Sequence, residues 1–195
     1  MSRKPKILGD SNMKKFVMAA LASSVAMSAT PAFAAPNDSQ DFEITANIQQ
    51  ECSVEDPANV NFGTLAIDEA PGSGALQVTQ GRTTLRQNVW VSCNYGADMA
   101  MSSGPMTTTE VNDGPDAGDF TDVIHLRMGI DPSTPNAFRR MFFDTKTKTG
   151  DFKTNADAFH ENAQISVVFN KDDLDGKRPL AGDYTAVATL RVGPI

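Results

Sequence analysis

Asp41-Phe42-Glu43-Ile44-Thr45-Ala46-Asn47-Ile48-Gln49-Gln50-Glu51-Cys52 is the stretch on which the reading of this chain turns. Its apolar side chains recur at every second position. Phe42, Ile44, Ala46 and Ile48 share one face of an extended strand, and Glu43, Thr45, Asn47 and Gln49 share the other. A strand with one apolar face needs a sheet on which to bury it. That sheet belongs either to the same molecule or to the next one, and the pattern leaves both open.

Upstream of this stretch, residues 13–34 read as an export signal. Lys14 and Lys15 precede an apolar run over residues 16–29, and Ala32-Phe33-Ala34 is a small-residue cleavage site. The run is too short to span a bilayer. Arg3, Lys4 and Lys6 lie further upstream with Asp10 and Ser11, which makes Met13 an alternative start. A cut after Ala34 is expected, since a cut one residue later leaves Pro36 directly behind it. The expected organisation is a signal over residues 1–34, an N-terminal segment over 35–49 and one domain over 50–195, exported and without direct membrane insertion.

Five of the 17 basic residues and one of the 24 acidic ones precede residue 35. The remainder carries 12 against 23, a net charge near −11. Such a chain repels nucleic acid and anionic lipid, so neither is expected as a partner. Cys52 and Cys93 are the two cysteines, and export places them in an oxidising compartment where one bridge is the expected arrangement. Closing a loop of that length stabilises a fold by roughly 4 kcal/mol on the chain-entropy model.

About 160 residues suit a single domain, and its pattern is β throughout. Strands are expected over residues 60–67, 75–80, 84–93, 97–103, 123–130, 139–144 and 165–169, and a last one over 182–192. In the 84–93 strand Leu85, Val89, Val91 and Cys93 face one side, while Asn88, Trp90 and Ser92 face the other. Ile124, Leu126, Met128 and Ile130 are expected to face inward. Residues 104–119, rich in Gly, Pro, Asp and Thr, read as an exposed loop. Residues 155–162 read as a short helix or irregular turn. Strands at this spacing with frequent turn signals make an antiparallel sandwich.

No arrangement of residues speaks for an enzyme. His125 and His160 stand outside any metal-ligand spacing, and no nucleophile elbow, phosphate loop or H-E-x-x-H is present. Asp172, Asp173, Asp175 and Gly176 fail the EF-hand register, because Lys171 takes the first ligand position and Gly182 the last. Asn112, Asp113, Asp116 and Asp119 likewise lack ligand spacing. Met99, Met101 and Met106 could hold Cu(I), but thioethers also fill sandwich cores, and core packing is the expectation for them. Trp90 and Tyr95 are expected in the core as well. No metal or cofactor is implied.

Cys52-Ser53-Val54 followed by Val60-Asn61-Phe62-Gly63 resembles the opening of the spore coat protein U domain, the family that includes subunits of archaic chaperone–usher pili. Val89-Trp90-Val91-Ser92-Cys93-Asn94-Tyr95-Gly96 is similar to its second-cysteine strand, and Gly182-Asp183-Tyr184 leading into residues 185–192 to its last strand. The likeness covers residues 41–192 and is weakest over 104–160. It implies an incomplete immunoglobulin-like sandwich completed by a donor strand. A periplasmic chaperone lends that strand first; at the outer-membrane usher the next subunit, a copy or a related pilin, replaces it.

On that likeness Phe42, Ile44, Ala46 and Ile48 are the donor strand, and Tyr184, Ala186, Ala188, Leu190 and Val192 line the acceptor groove. The implied product is a cell-surface fibre serving adhesion or biofilm formation. The other readings of the same residues are a self-complete exported sandwich, acting as a coat, matrix or ligand-binding protein, and an enzyme or copper-handling protein. If residues 41–54 form one continuous first strand, the donor falls on the polar residues 35–40, and the self-complete reading gains.

Overall fold

The computed structural model describes residues 40–194. The export signal, the cut after Ala34 and residues 35–39 lie outside the described residues. The chain divides between Ala46 and Asn47. Residues 40–46 carry no strand, and Phe42 and Ile44 are 80% and 82% exposed. The expected strand is absent there: a one-sided strand has no ladder for its own backbone until a sheet edge pairs with it.

From Asn47 onward the described residues form twelve strands and no α-helix. They are β1 (Cys52–Val54), β2 (Thr83–Cys93), β3 (Asp98–Ser103), β4 (Met106–Thr107), β5 (Phe120–Thr121) and β6 (Val123–Ile124). These are followed by β7 (Leu126–Pro132), β8 (Met141–Asp144), β9 (Gly150–Thr154), β10 (Phe159–Phe169), β11 (Arg178–Pro179) and β12 (Ala188–Gly193). One layer is a five-stranded antiparallel sheet in the order β1-β2-β10-β7-β8, and the other a three-stranded antiparallel sheet in the order β12-β3-β9. Two short pairs, antiparallel β4–β6 and parallel β5–β11, lie beside them. The protein is an all-β sandwich.

The two long strands, β2 and β10, pair along their whole length from Cys93 opposite Phe159 to Thr83 opposite Phe169. Alternation fixes which side is buried. Val89, Val91, Ala163, Ile165 and Phe169 point into one core with Met99 and Met101 of β3 and Met128 and Ile130 of β7. The Cys52–Cys93 disulfide joins directly opposed residues of β1 and β2. Asn94, just past β2, accepts from Glu51 N at 2.9 Å and donates to Gln49 O at 2.8 Å, which pins the backbone of residues 49–51 beside the end of β2.

Several expectations need correction. Residues 60–67 and 75–80 form no strand and meet only at the Ile67–Val78 bridge. β1 begins at Cys52, so the alternative of one continuous strand over residues 41–54 is not the arrangement seen. Of the two alternatives for residues 155–162, the irregular turn is found over 155–158 and no helix forms, while β10 already starts at Phe159. The last strand begins at Ala188, not Gly182. Strand 123–130 is interrupted at His125, and the 104–119 loop contains β4 and a 3-10 turn over Ala117–Asp119. Trp90 is no core residue: it is 46% exposed and stacks on His160 with ring centres 4.8 Å apart.

Candidate strand-accepting groove

The missing ladder over residues 60–67 and the late start of β12 have one physical setting. Past β1 the chain runs on as an extended wall that pairs with no strand. Glu55 N still reaches Trp90 O at 2.9 Å, but residues 59–65 make no backbone-to-backbone hydrogen bond with any described residue. Ala58 is held by a side chain, since Gln87 Oε1 accepts from its N–H at 2.7 Å and Gln87 Nε2 donates to its carbonyl at 3.0 Å. At the far end Asp68 N and Thr79 N bond Gln77 O and Ala66 O, both at 2.8 Å, which turns the wall back as a hairpin.

Facing this wall is the segment that leads into β12. β12 pairs with β3 along one edge and stands at the margin of its sheet, so its other edge has no ladder. Ahead of it Thr185 exchanges both backbone bonds with Thr107, each at 3.0 Å. Tyr184 Oη contacts Thr121 O at 2.9 Å and Leu180 O at 3.1 Å, anchoring the base of this second wall. Burial is the main influence on that phenol and pushes its pKa above the usual tyrosine value.

Between the walls lie two adjoining cavities of about 400 Å³ and 1000 Å³. Val60, Phe62, Met106, Tyr184 and Thr185 line both, which makes them one continuous groove. Under the smaller cavity Met101, Leu126, Met128, Ile165 and Val167 form an apolar floor, and Ile124 and Phe120 continue it under the larger. Three of these floor and wall positions are methionine, the side chain that adapts most readily to a variable guest. Two unpaired backbone edges over an apolar floor are what a strand-shaped ligand requires: ladder bonds at both sides and pockets for alternate side chains.

Of the residues named for the last strand, Tyr184, Ala186, Ala188 and Leu190 line the smaller cavity. Val192 does not; it packs half-buried against the core near the end of β12. Ala46 and Ile48 carry no strand, and Ile48 is 84% exposed. The opposite wall, Val60 and Phe62 with Leu65, was legible only as an ordinary weak strand. The floor methionines were legible only as core.

Two of the aspartates of the 172–175 cluster, and Met99, have partners within the fold. Asp173 and Asp175 pair with Arg127 at 2.7 Å and Lys146 at 2.6 Å, and Asp144 with Arg127 at 3.0 Å. Met99 is fully buried in the core. Among the described residues no cluster of His, Cys, Asp or Glu could hold a metal ion, and no helix is long and apolar enough to cross a membrane. Another cavity of about 830 Å³, between residues 131–140 and 153–157, is lined by Arg139, Arg140 and Lys153 with Asp131 and Asp157 and shares no residue with the groove. No protein-family model matches the chain, and no curated protein matches it either.

Proposed function

We propose that this chain is the structural subunit of a surface fibre of the archaic chaperone–usher kind, in which residues 42–48 of one subunit fill the groove of the next. The observation that carries the reading is the groove itself, with two unpaired edges and an apolar floor. The same chain supplies a guest of matching form. The unpaired wall over residues 59–65 and the segment 42–48 are each seven residues long, about 23 Å at the ~3.3 Å rise of a strand.

Energetics support the same reading. Burying Phe42, Ile44 and Ile48, all about four-fifths exposed, contributes roughly 1.5–3 kcal/mol each, less the cost of ordering the segment. The contact is heterologous, so its repetition does not close and yields a filament. A periplasmic chaperone that occupies the groove first and an outer-membrane usher that catalyses the exchange are the partners this reading requires. Export through the periplasm and a place at the cell surface follow from it, with adhesion or biofilm formation as the role.

The test is size-exclusion chromatography with unheated gel electrophoresis on the exported chain, intact and lacking residues 35–49. A ladder of oligomers that the deletion converts to folded monomer supports the proposal. A stable monomer that the deletion unfolds identifies a self-complete sandwich instead.

A further inference from the structure

The larger cavity ends at the hairpin over residues 66–79, and that hairpin contains a backbone anomaly. Leu76 has φ +65°, a left-handed conformation that leucine adopts only against a steric cost. Its surroundings hold it there from several sides. Leu76 N donates to Asp68 O at 2.7 Å, and Gln77 N to Gly74 O at 3.1 Å. Gln77 Nε2 donates to Gly176 O at 2.9 Å.

Arg178 closes the clasp from the opposite wall. Its Nε donates to Ala75 O at 2.7 Å and one terminal nitrogen to Ser73 O at 2.8 Å. Arg178 lies on β11, and the residues that follow it, Pro179 and Leu180, line the cavity. The two walls are therefore tied together at this end by a planar fork that spans two carbonyls, a role a single ammonium cannot fill. The outcome of the strain and the clasp together is the placement of one side chain. Leu76 lines the cavity yet remains 45% exposed. A strained residue persists only where its neighbours over-determine it, and such sites concentrate at ligand clamps.

We infer that Leu76 is a specificity-determining contact for the inserted strand, and that Arg178 is the residue that positions it. The inference rests on the proposed strand-accepting role of the groove. It assigns the end of the groove to the apolar side chain at one end of the guest segment, so that the clasp sets where an incoming strand stops.

The experiment uses the exported chain carrying Ile44→Asp and Ile48→Asp as an acceptor that cannot donate. The probe is a fluorescent synthetic peptide of residues 40–50, read by anisotropy. Leu76→Gly is expected to bind the peptide about tenfold more weakly, the loss of one partly buried leucine contact. Its melting temperature is expected to stay within a few degrees of the parent, since glycine accepts the left-handed backbone without strain. Leu76→Met is expected to restore binding to within about threefold of the parent. Arg178→Ala and Arg178→Lys are expected to weaken binding alike.

Peptide affinity unchanged in Leu76→Gly overturns the inference while leaving the groove reading intact. Weaker binding accompanied by a large fall in melting temperature also overturns it, because the residue is then structural. An acceptor that takes up no peptide in its parent form overturns the groove reading, and this inference with it.

Discussion

Gln87 grips both backbone polar groups of Ala58, accepting from its N–H at 2.7 Å and donating to its carbonyl at 3.0 Å. A side chain thus stands where a neighbouring strand would, and it holds the first wall of the groove at that distance from β2. Gln87→Ala should destabilise the domain by about 1–2 kcal/mol, the net worth of two ordinary hydrogen bonds, measured by urea denaturation. Amide exchange at Ala58 should accelerate in the same variant, while exchange within β2 and β10 stays slow.

The Cys52–Cys93 bridge joins residues 41 positions apart in sequence and ties the edge strand β1 to β2 within the five-stranded sheet. Losing it through Cys93→Ser should cost about 2–5 kcal/mol of stability. Thermal unfolding of the wild type with and without reductant should show the same gap. Equal melting temperatures for reduced and oxidised protein would contradict the structural role of the bond.

Acid should weaken the fold through its paired aspartates. The Lys146 ammonium holds the Asp175 carboxyl below the usual aspartate value. Burial pushes Asp144 and Asp151 upward, but the hydrogen bonds they accept outweigh it, from Lys146 N–H and Arg127 in one case and Lys153 and Phe142 N–H in the other. A depressed folded pKa gives stability that is fully present above the unfolded value, near 3.9, and is lost as pH falls through the folded one. Melting temperature should therefore hold level from about pH 7 to 5 and drop below about pH 4. Lys146→Met should flatten that drop, as circular dichroism melts at each pH would show.

Gly96 illustrates a glycine required by close approach. A Cβ there would collide with the Ala156 carbonyl, whose carbon lies 2.8 Å away, and would sit 3.0 Å from Asn155 O. Gly96→Ala should cost about 1–3 kcal/mol, the range of overpacking, and denaturant titration would detect it. A neutral substitution would mean that the 155–156 backbone yields freely.

Much of the sandwich was legible because its strands obey simple alternation. Val89, Val91 and Cys93 on β2, and Ile124, Leu126, Met128 and Ile130 across β6 and β7, are buried as their spacing requires. The start of β10 was hidden by Glu161, an inward-facing acid that accepts from Thr134 N at 2.9 Å and so breaks the apolar pattern. Trp90 obeys alternation by facing outward, and its aromatic character alone suggested the core. The groove was half legible. Its β12 side follows from a period-two pattern, but the 57–67 wall could not be told from an ordinary strand, since only the fold shows that residues 59–65 pair with no strand among the described residues.

Donation of residues 42–48 to another copy of the chain is open to experiment. Its most direct test compares the exported wild type with Ile44→Asp/Ile48→Asp on unheated gels after concentration, with monomer melting followed in parallel. A ladder is expected for the wild type, a folded monomer for the double variant, and shortened ladders when the two are mixed in equal amounts. An undiminished ladder from the double variant would contradict it.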